Sequence, residues 1–264
     1  MKIFDFFKMT AAGNDFVLVK GNKDSKASRL APILCDRREG IGADGILLVY
    51  QKPRLGFDYY NRDGSRAFCG NGMRAAAWWM YEEGWPRGEK TFELETPRGI
   101  LRAQIIGRQT LSVQMPKASG VRLNLPVSVL GHSYQVHTID TGVPHAVVIV
   151  KKLDQIDMNS LGKAIRNHPH FSPAGTNVDF VEIKSGKIYI RTFERGVEAE
   201  TLACGTGVVA AAILSHFLGR SGKSIYVVAP GGRLKVSFEP EGRGASDIFL
   251  EGPAKIVYQG KIKL

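Results

Sequence analysis

The stretch Cys69-Gly70-Asn71-Gly72, followed by Ala75-Ala76-Ala77, decides the fold because it is written twice. Cys204-Gly205-Thr206-Gly207 is followed in the same way by Ala210-Ala211-Ala212. Only three cysteines occur in 264 residues, and two of them open these matching turns. Each turn feeds an apolar run of helical length. A cysteine at a helix N-terminus sits among unpaired backbone N–H groups at the positive end of the helix dipole, where thiolate is stabilised. Two such cysteines, supplied by two halves of one chain, predict an acid and a base that face each other across a substrate.

The repeat extends outward from the turns. Asp44 in Ala43-Asp44-Gly45-Ile46-Leu47 is matched, at the same offset as the cysteines, by Asp179 in Val178-Asp179-Phe180-Val181. Upstream, Phe16-Val17-Leu18-Val19 corresponds to Ala146-Val147-Val148-Ile149; downstream, Thr96-Pro97-Arg98-Gly99 corresponds to Ala229-Pro230-Gly231-Gly232. Small drifts in offset are what loop insertions produce. So long a period excludes a solenoid and predicts two equivalent domains, residues 1–115 and 116–253. The last strand, Ala254–Ile262, is expected to cross back, so that 254–264 complete the first domain.

With 44% apolar residues the chain has material for two cores. No segment approaches the roughly 18 uninterrupted apolar residues of a membrane helix. Met1-Lys2-Ile3-Phe4-Asp5 has an early acid and no small-residue cleavage site, so it does not read as a signal peptide. A low, odd cysteine count argues for reduced thiols and a cytoplasmic address. The net charge of +11 raises nucleic-acid binding as a reading of another class, but the 36 basic residues are dispersed. The plain alternative is a solvated basic surface, and an intermediate one is a positive field that draws a dicarboxylate into a cleft.

Strand patterns cover Phe16–Lys20, Ile46–Tyr50, Phe57–Asn61, Thr91–Glu95 and Ile100–Ile106. Helices are expected over about Gly72–Gly84 and Gly207–Gly219, each ending at glycine and apolar nearly all round, which implies burial inside a sheet. The expected fold is α/β (α+β): two pseudosymmetric domains, each a curved, mainly antiparallel sheet around a central helix. Shorter helices near Ser28–Arg37 and Asn159–Asn167 would cover the outside. Gly40-Ile41-Gly42-Ala43-Asp44-Gly45 has the letters of a dinucleotide fingerprint, but a strand follows where a helix is required. Gly222-Lys223-Ser224 fails as a phosphate loop for the same reason.

A lone cysteine is by default a buried filler, and Cys35 fits that description. Cys69 and Cys204 escape it by their paired turns. Neither has a Cys-x-x-Cys partner, and His168-Pro169-His170 is too isolated to anchor a ligand set, so no metal is expected. Tyr59-Tyr60-Asn61-Arg62-Asp63-Gly64-Ser65 and Thr192-Phe193-Glu194-Arg195-Gly196-Val197 each end a strand shortly before a cysteine turn. The pair Glu194-Arg195 suits an ammonium and a carboxylate.

These segments together resemble the diaminopimelate epimerase family. The resemblance rests on Asn61-x-Asp63-Gly64-Ser65 with Cys69-Gly70-Asn71-Gly72-x-Arg74, and on Glu194-Arg195-Gly196-Val197 with Glu200-Thr201-x-Ala203-Cys204-Gly205-Thr206-Gly207. Lys8-Met9, Gly13-Asn14-Asp15-Phe16 and the Gly40–Gly45 segment fit as well. It implies a cofactor-independent isomerase, without pyridoxal phosphate, that interconverts LL- and meso-diaminopimelate for lysine and peptidoglycan, and a homodimer. The implied active site lies in the cleft between the domains. Cys69 and Cys204 would be the acid/base pair, with His145 beside the first and Glu194 beside the second. Backbone groups of Gly70-Asn71 and Gly205-Thr206 would hold the reacting carboxylate; Asn14, Asn61, Asn177, Glu194 and Arg195 would bind the rest of the substrate. Val143 and Gly45 stand where some members carry asparagine and glutamine. Proline and hydroxyproline racemases share the two-cysteine logic, but their cyclic substrate offers no distal end to a Glu194-Arg195 clamp.

Overall fold

The computed structural model describes residues 3–23 and 26–263, so Met1 and Lys2 of the N-terminal segment, and Leu264 at the end of the returning strand, lie outside the described residues. The chain forms two compact units, Met1–Gln114 with Glu251–Leu264, and Met115–Leu250.

In the first unit β1 (Ile3–Ala11) and β2 (Asn14–Lys20) form a hairpin through Ala12 and Gly13, both at positive φ. The chain then crosses over through α1 (Ala27–Leu34) to β3 (Gly45–Tyr50), parallel to β2. All six residues of β3 are buried, which is why Ile46-Leu47-Leu48-Val49 reads as one unbroken apolar run. Antiparallel β4 (Gly56–Asn61) and the short β5 (Arg66–Ala67) lead into α2 (Gly70–Glu82). The meander β6 (Thr91–Thr96), β7 (Gly99–Gly107) and β8 (Thr110–Gln114) follows.

The second unit repeats this order. β9 (Ser119–Val129) and β10 (His132–Asp140) pair antiparallel, then β11 (Pro144–Ile149) runs parallel to β12 (Asn177–Lys184). Next come β13 (Lys187–Glu194), β14 (Ala199–Thr201), the helix at Gly205–Phe217, and β15 (Ser224–Ala229), β16 (Gly232–Glu241) and β17 (Gly244–Pro253). The crossover between β11 and β12 carries a π-turn at Met158–Gly162 and the short α3 (Lys163–Arg166), so the long helix counterpart is α4 (Gly205–Phe217). The helix expected near Asn159–Asn167 is thus present, wound as π over its first turn and as α over its last. Gly162 sits against the Phe193 ring with no room for a side chain. Finally β18 (Lys255–Lys263) pairs antiparallel with β1, as β9 does with β10. The strand that begins the second unit therefore has its equivalent in the first at the far end of the sequence.

Each long helix packs against its own set of strands: α2 against β1, β2, β3, β4, β7, β8 and β18, and α4 against β10, β11, β12, β13, β15 and β16. Both start two residues earlier than the apolar pattern predicts, because the first glycine after each cysteine already lies in the first turn. Both close with a Schellman motif. Gly84, at φ +71°, donates to Tyr81 while Trp85 donates to Met80; Gly219, at φ +68°, donates to His216 while Arg220 donates to Ser215. The terminal glycines of the apolar pattern thus lie just outside their helices, in the left-handed conformation that terminates a helix.

One expected equivalence fails. Asp44 lies immediately before β3, whereas Asp179 is the third residue of β12. Offset along the chain counts loop insertions, whereas ladder position does not, so the two aspartates share a spacing from their cysteines but not a place in the fold.

Candidate active site

Cys69 is the N-cap of α2, in extended conformation, and its Sγ accepts the Gly72 N–H at 3.3 Å. Gly72 fits closely there: a Cβ would stand 2.9 Å from Leu47 Cδ2 and 3.3 Å from Cys69 Cβ, so the Leu47 side chain would have to shift. The N–H groups of Gly70 and Asn71 belong to the same first turn, where no intrahelical carbonyl is available to them.

A hydrogen-bond chain fixes the polar side chains of this half. Arg74 Nη2 donates to Asn71 Oδ1 at 2.6 Å, and Asn71 Nδ2 donates to Asn14 Oδ1 at 2.6 Å. Asn14 Nδ2 donates to Asp44 Oδ2 at 3.0 Å, and Arg37 Nη2 donates to Asp44 Oδ1 at 2.8 Å. The chain settles both amide orientations, since each oxygen faces a donor. Arg37 also grips Asp15, which takes Lys8 at 2.6 Å as well. Burial alone would raise the Asp15 carboxyl, but Arg37 and Lys8 outweigh it and hold the group down at about 2. Asn61 ends β4 and donates to Ser65 Oγ at 3.0 Å inside the turn closed by Asp63.

Cys204 caps α4 in the same conformation, more deeply buried, with Sγ 3.3 Å from Thr206 Oγ1. Burial, then the charges of Glu194 and Asp179, push its thiol well above the ordinary range, against the opposing hydrogen bonds of Thr206 and Gly207. Thr206 Oγ1 is also 3.0 Å from His145 Nε2, and His145 Nδ1 is 2.7 Å from Asp179 Oδ2. A carboxylate only accepts, so Nδ1 carries the proton that faces it, and the Thr206 hydroxyl lies between Nε2 and the Cys204 sulfur. The hydroxyl's one proton, given to sulfur, favours the Cys204 thiolate, the sense in which it opposes burial. Asp179 is fully buried and is satisfied on its other side by Thr192 Oγ1 at 2.7 Å. Gly207 is forced by the same packing, because a Cβ would lie inside contact distance of Asp179 Oδ1.

Asn177 donates to the Pro144 carbonyl at 3.1 Å and accepts the Arg195 N–H at 2.9 Å, which turns Asn177 and the Glu194-Arg195 corner toward each other. Glu194 ends β13 and accepts from Thr201 Oγ1 at 3.0 Å. Arg195 reaches the Ala174 carbonyl. The second unit thus gathers His145, Asn177, Glu194, Cys204, Gly205 and Thr206; the first gathers Asn14, Cys69, Gly70 and Asn71, with Asn61 at the end of the neighbouring strand. Asp179 joins the site without having been a candidate for it. Its signal in the sequence is an acid inside the apolar run Val178-Asp179-Phe180-Val181, which must find partners when buried. Cys35 sits in the α1 core, its thiol pushed up to about 12 by burial, in keeping with a filler. His168 caps a 3-10 turn at Pro169–Phe171, and His170 lies within it. No helix among the described residues is long and apolar enough to cross a membrane.

The family profile described as diaminopimelate epimerase matches residues 6–121 and 137–257. A diaminopimelate epimerase of Chlorobaculum tepidum is 38% identical over 264 residues, covering 97% of this chain and 100% of its own. Another, from Hydrogenobaculum sp., is 35% identical over 276 residues, with 97% of each chain covered. Among solved structures, a probable proline racemase from Agrobacterium radiobacter with bound carbonate matches with a TM-score of 0.78 at 18% identity, over 99% of this chain and 93% of that one. At that identity the likeness concerns the fold alone.

Proposed function

Because the chain belongs to the diaminopimelate epimerase family, we propose that it interconverts LL- and meso-2,6-diaminopimelate by two-base proton transfer, with Cys69 and Cys204 as the acid/base pair. Inverting an α-carbon needs a base on one face and an acid on the other, and the two must exchange roles in reverse, so like groups suit the task. The observation that carries the reading is that both thiols cap buried helices at equivalent places in a duplicated fold.

The α-proton is weakly acidic, and without pyridoxal phosphate the protein itself must stabilise the carbanion. The first-turn N–H groups of Gly70, Asn71, Gly205 and Thr206 are suited to the reacting carboxylate, where helix-terminal dipoles favour negative charge. Assignment of Glu194 to Cys204 is supported by its charge acting on that thiol. Assignment of His145 to Cys69 is supported by the family resemblance, while His145 also reaches Cys204 through Thr206. Asn14, Asn61, Asn177, Glu194 and Arg195 are assigned to the distal amino-acid end. With Oδ1 occupied by Asn71, Asn14 has an N–H to offer, which suits a carboxylate. A homodimer and a cytoplasmic address complete the proposal; the mass in solution, from light scattering at several concentrations, tests the first.

Incubation of reduced protein with LL-diaminopimelate in D₂O, without pyridoxal phosphate, tests the function. The meso isomer should appear with deuterium at the inverted centre. Absence of exchange with all thiols reduced would refute the assignment, and turnover of proline in its place would favour the racemase reading.

A further inference from the structure

The duplicated motif breaks its symmetry at one charged position. Cys69-Gly70-Asn71-Gly72-Met73 continues with Arg74, whereas Cys204-Gly205-Thr206-Gly207-Val208 continues with Val209. Arg74 is fully buried, and among the described residues its one hydrogen-bond partner is the neutral Asn71 Oδ1, while its Nε and Nη1 have none. A guanidinium in such a place is costly unless an anion compensates it. Cys69 caps the same buried helix that carries Arg74; burial presses Arg74 down to about 10, and the Cys69 charge draws it the other way. That attraction is mutual.

We infer that Arg74 is a positioning residue for the Cys69 half of the site: its buried charge makes Cys69 the resident thiolate, and its hydrogen bond holds Asn71 and, through it, Asn14. This rests on the reading of Cys69 as a working thiol. The surroundings of Cys204 have the opposite sign, with Glu194 and Asp179 both favouring the neutral thiol. The two halves therefore differ in resting protonation although their backbones repeat.

The other charges on elements packed against α2 are paired or exposed. Lys8 of β1 holds Asp15 of β2 and the Gly42 carbonyl, and Lys20 of β2 holds Glu83. Asp44, ahead of β3, holds Arg37, and Asp58 of β4 holds Arg66. Lys261 of β18 faces Asp5 of β1. Arg102 of β7 and Lys255, Tyr258 and Lys263 of β18 are exposed, and β8 carries no charge. Tyr59 lies on β4 among them; burial keeps the phenols of Tyr50 and Tyr60 above their ordinary range and hence neutral. On α2 itself only Tyr81 and Glu82, in the last turn, are ionisable besides Arg74.

The test is the pH dependence of iodoacetamide alkylation, read at each cysteine by peptide mass spectrometry, which needs no turnover. An unperturbed thiol has its midpoint near about 8.5. Wild-type Cys69 should show a midpoint at least about one unit lower, and Arg74→Met should raise it by about one unit, a roughly tenfold slower reaction at pH 7. Arg74→Lys should restore most of the shift. A purely structural lesion would instead speed alkylation of all three cysteines at high pH without moving the Cys69 midpoint. A wild-type midpoint at or above about 8.5 overturns the inference even where Arg74→Met fails to fold; so does a folded Arg74→Met protein with an unmoved midpoint. A low Cys69 midpoint in protein that exchanges no substrate proton would count against the epimerase reading and leave the role of Arg74 intact.

Discussion

Replacing Thr206 by valine keeps shape and burial and removes one oxygen, so it isolates what that hydroxyl does. The oxygen makes two contacts, to Cys204 Sγ at 3.3 Å and to His145 Nε2 at 3.0 Å. After its loss the ring nitrogen keeps only the Asn177 Nδ2 contact, stretched to 3.5 Å. A buried ring nitrogen left so poorly paired costs about 1–3 kcal/mol, which in a protein of this size lowers Tm by roughly 2–10 °C. On the sulfur the sign is set: the Thr206 hydrogen bond opposes the effect of burial on Cys204, so its removal pushes the thiol further up. One lost hydrogen bond of about 1 kcal/mol makes the Cys204 thiolate about fivefold rarer at a fixed pH.

Cys204 alkylation in Thr206→Val should therefore slow about fivefold at neutral pH while Cys69 alkylation is unmoved, and epimerisation should fall at least as far. Thr206→Ser restores the oxygen and should recover both. Faster Cys204 alkylation in folded Thr206→Val, or a Thr206→Ser protein no better than the valine variant, would refute the chain from Cys204 through Thr206 to His145.

Cys69→Ser and Cys204→Ser should each lower epimerisation at least about 100-fold in the D₂O assay, and near wild-type turnover in either would remove that residue from the pair. Gly207→Ala drives a methyl into Asp179 Oδ1 and should cost about 1–3 kcal/mol in denaturant unfolding, together with activity. The Cys35 thiol is raised to about 12 in the fold, so the stability this shift represents is intact below about 8.5 and is lost as pH rises through the alkaline range. Between about pH 7.5 and 9.5 the loss is about 1.4 kcal/mol, and Cys35→Ala should remove that part of the pH dependence; an unchanged slope would refute it. Truncation after Ala254 removes β18, the partner of β1, and should unfold the first unit, seen as hydrogen exchange along β1 approaching the free-chain rate.

Legibility followed the range of the physics involved. The cysteine caps could be read because a cap, a first-turn glycine and a terminal glycine are all local, within one helix. Their exact ends could not, because an apolar pattern marks the buried face and says little about which glycine is already helical. β5 and β14 are two and three residues long, too short to show a period. The π-turn at Met158–Gly162 packs Gly162 against Phe193, far along the chain, and no local pattern records that contact. The same holds for the chain from Arg37 through Asp44, Asn14 and Asn71 to Arg74. Asn14 and Asn71 were visible as candidate ligands, but that each fixes the other's amide is a tertiary fact.

Duplication explains why the two helices look alike, and divergence explains why they are useful. Two identical half-sites would give two thiols of equal acidity, and a proton pair with no preferred arrangement. In this chain the backbone geometry of the caps is retained, with Cys69 and Cys204 both extended and both followed by a closely packed glycine. The polar dressing is not retained. Around Cys69 it is amides anchored on a buried guanidinium; around Cys204 it is a hydroxyl, an imidazole and two carboxylates. Cap geometry requires small residues and close packing, so a substitution there is punished in both copies. The flanking positions set only charge, and they were free to become opposite. On the proposed two-base mechanism, a thiolate at one cap and a thiol at the other is the state from which a single proton can be taken and a single proton returned.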